Sequence, residues 1–399
     1  MSSPATLEPA PTSVLGRIAA LGRRVTSGGT FLPEIDGLRF IAIAWVLIYH
    51  LAGEYAKVRG ADFPFRDEGS LLSTWIHTLN FGVQLFFVIS GFILGLPFVR
   101  HYYEGRERPE LKVYYIRRLT RIEPPLLINL TICLGLLVVI KHQSLVELLP
   151  HYLASITYSH NLIYGEMSTI NFVTWSLEIE AQFYLLAPLL VSVLALPARI
   201  REGALAGLIA ATGLAAWYLM HSYPLIERTI VGQVQYFLAG ILLAAWYCRN
   251  QATMHTRSLR NDLIAVAAWC ALSWLLANKA AWNAPLLPFV VLLAYMAMLR
   301  GRITRALITW GPVPLIGGMC YTIYLYHPFL KSALKHLTFP LQVTDIWWVN
   351  LWLQIVVLGG LIVGVCWVLF LLFEKPFMYR DWPARVGGFV RRLLGRSAT

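Results

Sequence analysis

Long runs of apolar residues, each separated from the next by a short polar or proline-rich connection, constrain this chain more than any other feature. A helix crossing bilayer hydrocarbon needs roughly 20 mostly apolar residues. Such runs fall at about 38–54, 73–97, 122–141, 172–196, 204–222, 229–248, 261–278, 284–300, 308–333 and 347–373. With 57% hydrophobic and only 14% charged residues among 399, the chain has too little charge to clothe a soluble surface. Its 14 Trp, 19 Tyr and 19 Phe supply the aromatic belts that membrane proteins place at the two lipid boundaries. The expected fold class is therefore all-α, a polytopic integral membrane protein of about ten transmembrane helices. A secreted disulfide scaffold, a nucleic-acid-binding domain and a disordered regulator are excluded. An eleventh apolar stretch, about 145–163, carries His151, Tyr152, Tyr158, His160 and Asn161 and reads as an interfacial or re-entrant segment.

The formal charge of +12 has to be located before it is interpreted. Of the 33 Lys and Arg, 24 fall in the N-terminal segment, the even-numbered connections and the tail, against 8 in the alternate connections. That bias follows the positive-inside rule with both termini cytoplasmic, and it explains the basic balance without a nucleic-acid partner. The expected organisation is a cytoplasmic segment 1–37, a membrane domain 38–373 and a basic cytoplasmic tail 374–399. Arg385, Arg391, Arg392 and Arg396 of that tail would lie on anionic lipid. Residues 1–37 show no secretory signal, and no separate soluble domain is expected. The five cysteines lack metal-ligand spacing, so neither a metal nor a permanently bound cofactor is expected.

Ionisable side chains within spans are costly and mark function by default. Arg39 and His50, eleven residues apart, share one helix face about 16 Å apart along the axis. Arg118 and Arg121, three apart in YYIRRLTRIEPP, form a fork-bearing pair on the same side as Arg39, suited to phosphate or pyrophosphate. Glu178 and Glu180 follow Trp175 two apart, so they face different directions and do not make a dyad. Counted from the opposite boundary, Glu180 reaches about the depth of His50, as a carboxylate orienting a catalytic imidazole must. Tyr321, Tyr324 and His327 lie in a span interrupted by Pro312, Pro314, Gly317 and Gly318, and broken helices at membrane depth line cavities. There is no Walker A loop, no GxGxxG between strand and helix, no HExxH and no GxSxG elbow.

Taken together, IDGLRFIAIAWVLIYH, FGVQLFFVISGFIL, YYIRRLTRIEPP, TWSLEIEAQFYLLAP, GMCYTIYLYHP and FEKPF resemble the polytopic membrane-bound acyltransferases of acyltransferase family three, over about residues 33–377. The resemblance implies ten spans in a bacterial inner membrane. It also implies transfer of an acyl group from cytoplasmic acyl-CoA to a hydroxyl, commonly on a sugar of a surface polysaccharide or on a glycosylated small molecule. Arg39 and His50 match the family's Arg and His separated by ten residues, Arg118 and Arg121 its Arg-x-x-Arg, and Glu180 its acid after Trp-Ser-Leu. Gln84 stands where many relatives carry Asp, and Cys320 where Ser is common.

The expected mechanism places the donor's phosphates on Arg39, Arg118 and Arg121. His50 then acts as general base or transient acyl carrier, and Glu180 orients it. Trp175, Tyr321, Tyr324 and His327 are candidates for the acceptor site or the cavity wall. The partners so implied are acyl-CoA, with acetyl-CoA the commonest donor in the family, a carbohydrate or glycosylated acceptor and the bilayer, with oligomeric state open. A rival reading is a transporter or flippase with Arg39, His50 and Glu180 as an intramembrane relay.

Overall fold

A computed structural model of the chain describes residues 20–25, 31–59, 70–278, 283–379 and 382. The tail arginines and most of segments 1–37 and 60–69 lie outside the described residues. Among the described residues the structure is helical, with one isolated bridge between Ser258 and Gly301 and no sheet. The helices are α1 (Pro33–Arg59), α2 (Leu71–Thr78), α3 (Gly82–Glu104), α4 (Leu111–Val139), α5 (Leu145–Ile156), α6 (His160–Tyr164), α7 (Trp175–Leu190) and α8 (Arg201–Ser222). They continue as α9 (Ile230–Arg249), α10 (Leu259–Asn278), α11 (Leu287–Arg300), α12 (Ile303–Thr309), α13 (Pro312–Gly318), α14 (Cys320–Thr338) and α15 (Trp347–Leu369).

Eight described helical stretches are long and apolar enough to cross a membrane. They correspond to eight of the ten expected spans. The other two differ for physical reasons. The 284–300 run is helical only over Leu287–Arg300, 14 residues. The 308–333 run is no single helix: Gly311 and Pro312 end α12 and start α13, and the chain turns again at Met319 before α14. Segment 145–163 forms α5 and α6, with Leu145, Val146, Leu149, Leu153, Leu162 and Ile163 exposed, an apolar surface suited to lying at a lipid boundary.

The centre of the bundle is built on close helix approach. A Cβ on Gly91 of α3 would collide with the Phe237 carbonyl of α9, and one on Gly240 with the Val88 carbonyl. Small residues spaced in this way let helix backbones touch where no hydrophobic drive separates lipid from protein. Phe237 then stacks on Phe87 at 4.7 Å and on Phe183 at 4.1 Å, tying α3, α7 and α9 together. On the other side α1 packs against α3, α12, α13, α14 and α15. α1 opens with Pro33 at its first position and Glu34 and Asp36 in its first turn, where the missing N–H costs nothing and acids complement the dipole. This framework brings the middle of α1 against α14.

Candidate active site

Prolines shape the site from within the helices. Pro328 in α14 has no N–H, which frees the carbonyl of Tyr324 four residues earlier. His327 takes that place, its Nδ1 lying 2.8 Å from the Tyr324 carbonyl and 3.1 Å from that of Ile323. Since a carbonyl can only accept, Nδ1 carries the hydrogen and Nε2 keeps a lone pair. His327 is 0% exposed and its Nε2 has no hydrogen-bond partner. The His327 ring lies 5.0 Å, centroid to centroid, from the ring of His50 in α1, and Phe172 closes another side of His50 at 5.4 Å. Tyr324, in turn, has its ring 6.0 Å from His327 and donates to the Val173 carbonyl while sharing a 2.6 Å hydrogen bond with Ser176.

Tyr324 also lines a cavity whose empty volume with its open mouth is about 910 Å³. Arg39, Arg118, Arg121, Glu180, Tyr321 and Glu374 line it as well. Arg39 is held: Asp36, 2% exposed, accepts from Arg39 at 2.7 Å and from Arg24 at 3.1 Å. Neither Arg118 nor Arg121 has a carboxylate within ion-pairing distance among the described residues, and the Arg118 Nε is buried without a partner. The Arg118 guanidinium lies over the Tyr114 ring at 5.8 Å. Just beyond, Pro124 and Pro125 interrupt the α4 ladder, and the Tyr321 hydroxyl donates to the Ile122 carbonyl at 3.0 Å. Two half-buried guanidinium groups thus line one cavity, and such groups have the chemistry to pair with phosphate oxygens.

The structure thus brings Arg39, Arg118, Arg121, Glu180, Tyr321 and Tyr324 to one cavity and sets His50 with His327 behind Tyr324. It does not set Glu180 beside His50. The Glu180 carboxylate accepts from the Ser90 hydroxyl of α3 at 2.5 Å, while the aromatic neighbours of His50 are Tyr49, Phe172 and His327. Counting residues gives depth along an axis and leaves the direction around it open, and α7 turns Glu180 toward α3. Trp175 opens α7, its carbonyl accepting from Asn161, and is not part of the cavity wall. Glu178 is buried and accepts from the Asn161 backbone N–H at 2.8 Å, so it ties α6 to α7.

Sequence reasoning missed Asp36, Ser90 and Glu374. Asp36 was legible, since three residues before Arg39 it shares that helix face. Glu374 was legible too, as a lone acid ending a long apolar run. It is buried, accepts from the Thr322 backbone N–H at 3.1 Å and from the Thr322 hydroxyl, and so pins the start of α14 beside the arginines. No signal pointed to Ser90, a small residue in an apolar helix.

A family model described as an acyltransferase domain matches residues 32–371. Curated relatives include proteins named O-acetyltransferase OatA from Staphylococcus aureus strains NCTC 8325 / PS 47, COL and MRSA252. Each is 30% identical over 173 residues, 41% of this chain and 25% of theirs. The matched region thus covers about a quarter of those relatives' length. No solved structure matches the chain.

Proposed function

The chain belongs to acyltransferase family three and is a multi-pass membrane acyltransferase, and on that basis we propose that it transfers an acyl group, acetyl first among the candidates, from cytoplasmic acyl-CoA to a sugar hydroxyl of a surface polysaccharide or a glycosylated small molecule. The relatives named O-acetyltransferase support acetyl as the group and a hydroxyl as its destination. The membrane is a bacterial inner membrane, with both termini and the arginine-bearing end of α1 facing the cytoplasm, as the distribution of basic residues supports.

The observation that carries the proposal is the continuity between the arginine cavity and the imidazole pair through Tyr324. The donor's phosphates pair with Arg118 and Arg121, and Arg39, fixed by Asp36, shapes the mouth. Arg39 and His50 lie on the unbroken helix α1 about 16 Å apart along its axis, a span an extended pantetheine arm covers. His50 then takes the proton of the acceptor hydroxyl as its oxygen attacks the thioester carbonyl. When the tetrahedral intermediate collapses, the carbon–sulfur bond breaks and the imidazolium returns the proton to the departing thiolate. His50 as transient acyl carrier is the variant of the same chemistry. In this reading one nitrogen of His50 donates to the lone pair on His327 Nε2, the two rings lying 5.0 Å apart, and the other is left free for the hydroxyl. Glu180, held by Ser90, works on the donor side, where its charge steadies the arginines.

The test uses purified protein in nanodiscs. Heat stability is followed with acetyl-CoA, free CoA and desulfo-CoA for wild type, Arg118→Ala and His50→Ala. A ligand at 100 times its Kd stabilises by about 2.7 kcal/mol. Stabilisation lost in Arg118→Ala and kept in His50→Ala is expected. A folded wild type that responds to no CoA species refutes the donor site.

A further inference from the structure

Beyond His50 and His327, α1 and α14 continue side by side and carry charge at each successive turn. Glu54, one turn past His50, pairs with Lys331, one turn past His327, at 3.3 Å. It also pairs with Lys335, a further turn along, at 2.6 Å. These side chains are mostly buried, with Glu54 10% and Lys331 9% exposed. Past them a cleft of about 740 Å³ opens between the ends of α1 and α14, lined by Tyr55, Val58, Lys335, His336, Phe339 and Gln342. Val58 is nineteen residues from Arg39 on one helix, or about 28 Å, almost the whole thickness of the hydrocarbon layer. The cleft and the arginine cavity therefore open at opposite faces, and the imidazole pair stands between them.

We propose that this cleft is the acceptor site, and that it takes an anionic glycan, a carbohydrate carrying carboxylate or phosphate groups, whose hydroxyl reaches His50 from the face opposite the donor. The proposal rests on the acyltransfer reading of His50 given above. The chemistry of the lining selects the occupant. Tyr55 and Phe339, rings 5.3 Å apart and perpendicular, form a buried apolar floor to the cleft, Tyr55 1% and Phe339 9% exposed. Gln342 and His336 are exposed and offer hydrogen bonds to hydroxyls. Among the described residues of α1 and α14 at this end, Lys331, Lys335 and the exposed Lys57 outnumber the carboxylate of Glu54, which favours an acidic occupant. From Val58 to His50 is eight residues, about 12 Å along α1, a reach that admits a sugar unit past the cleft mouth. Glu54 stands in that path. Exchange of its lysine partners for the acidic groups of the glycan opens the way to the imidazoles.

The test removes the gene for this chain from its source cell, resupplies variants, and measures the acid released by mild base from the envelope glycans after anion exchange into acidic and neutral fractions. Ester that depends on the chain is expected in the acidic fraction. Val58 is 54% exposed, so Val58→Trp fills the mouth without disturbing a packed core. It should abolish that ester while the purified variant keeps its stabilisation by CoA. Lys335→Gln should lower the ester about tenfold, the loss of one charge-assisted hydrogen bond, and Lys335→Arg should restore it. Full ester with both Val58→Trp and Lys335→Gln overturns the cleft and leaves the acyltransfer reading standing. Ester confined to the neutral fraction overturns the anionic acceptor. Removal of the gene without loss of ester from either fraction overturns both this inference and the reading it rests on.

Discussion

Replacing His327 tests the central feature of the site, a buried imidazole beside the ring of His50 whose Nε2 has no hydrogen-bond partner. In His327→Phe the ring remains and the acceptor nitrogen goes. The Nδ1 hydrogen bonds are local, to carbonyls of its own helix at Tyr324 and Ile323, so their loss leaves the contacts between helices in place. In the transition state His50 becomes positively charged, and a hydrogen bond to a charged group is worth about 1.5 to 3 kcal/mol. At about 1.36 kcal/mol per tenfold in rate, kcat should fall about 10- to 150-fold. KM for the donor should hold, because His327 does not line the arginine cavity. His327→Gln presents an amide oxygen near the place of Nε2 and should recover part of the rate. The assay follows labelled acetyl transfer from acetyl-CoA in nanodiscs at saturating acceptor. A fall in kcat of less than about threefold in His327→Phe is below the smallest such bond and would refute the pairing. A rise in donor KM that accounts for the whole effect would refute it equally.

Packing at the α3–α9 crossing predicts that Gly240→Leu, facing the Val88 carbonyl and Phe92 backbone, costs about 3 kcal/mol or more, because backbone cannot yield as a side chain can; an unchanged thermal midpoint contradicts the close approach. Asp262 accepts from the backbone N–H groups of Arg302, Ile303 and Thr304 at 3.0, 3.1 and 2.9 Å, capping α12, so Asp262→Ala should cost about 1 to 2 kcal/mol. The readout is again the thermal midpoint, with Asp262→Asn losing less. His160, in α6 outside the spans, is held below its ordinary pKa by burial first, with His151 adding to it and the Glu166 carbonyl, 3.1 Å from Nδ1, opposing. The unfolded chain therefore binds a proton that the folded chain refuses once pH drops through the unfolded value of about 6.5, and stability must fall there. The groups facing His160 are His151, 2.8 Å away, and Tyr164, with Glu178 bound to the next residue. His160→Asn should flatten the midpoint between about pH 7 and pH 5, and a profile identical to wild type excludes His160 as the source.

What the sequence made legible follows from what its patterns encode. Apolar length locates helices, so eight runs reappear as long apolar helices, although the third begins at Leu111 rather than near 122 and the second runs on to Glu104 rather than 97. The 308–333 run misled because Pro312, Pro314, Gly317 and Gly318 were read as interruptions of one span, whereas Gly311–Pro312 and Met319 divide it into separate helices. Charge in an apolar run signals a function for the side chain without naming its partner. Arg118 and Arg121 were legible as a pair because both lie on one face of one helix, and that periodicity survives folding. The ring beside His50 lies on α14, 277 residues along the chain, and no periodicity relates the faces of two helices so far apart in sequence. Depth arithmetic therefore offered Glu180 as the partner of His50 and left His327 among the cavity-wall candidates, because depth says nothing of the rotation that decides which side chains meet. Ser90 draws Glu180 toward α3, and Pro328 frees the carbonyl that fixes His327 with its lone pair outward. The dipeptide His327–Pro328 held that information locally: a histidine followed by proline in a helix can bond the carbonyl which the proline leaves unpaired, and its tautomer is then set before any other helix arrives.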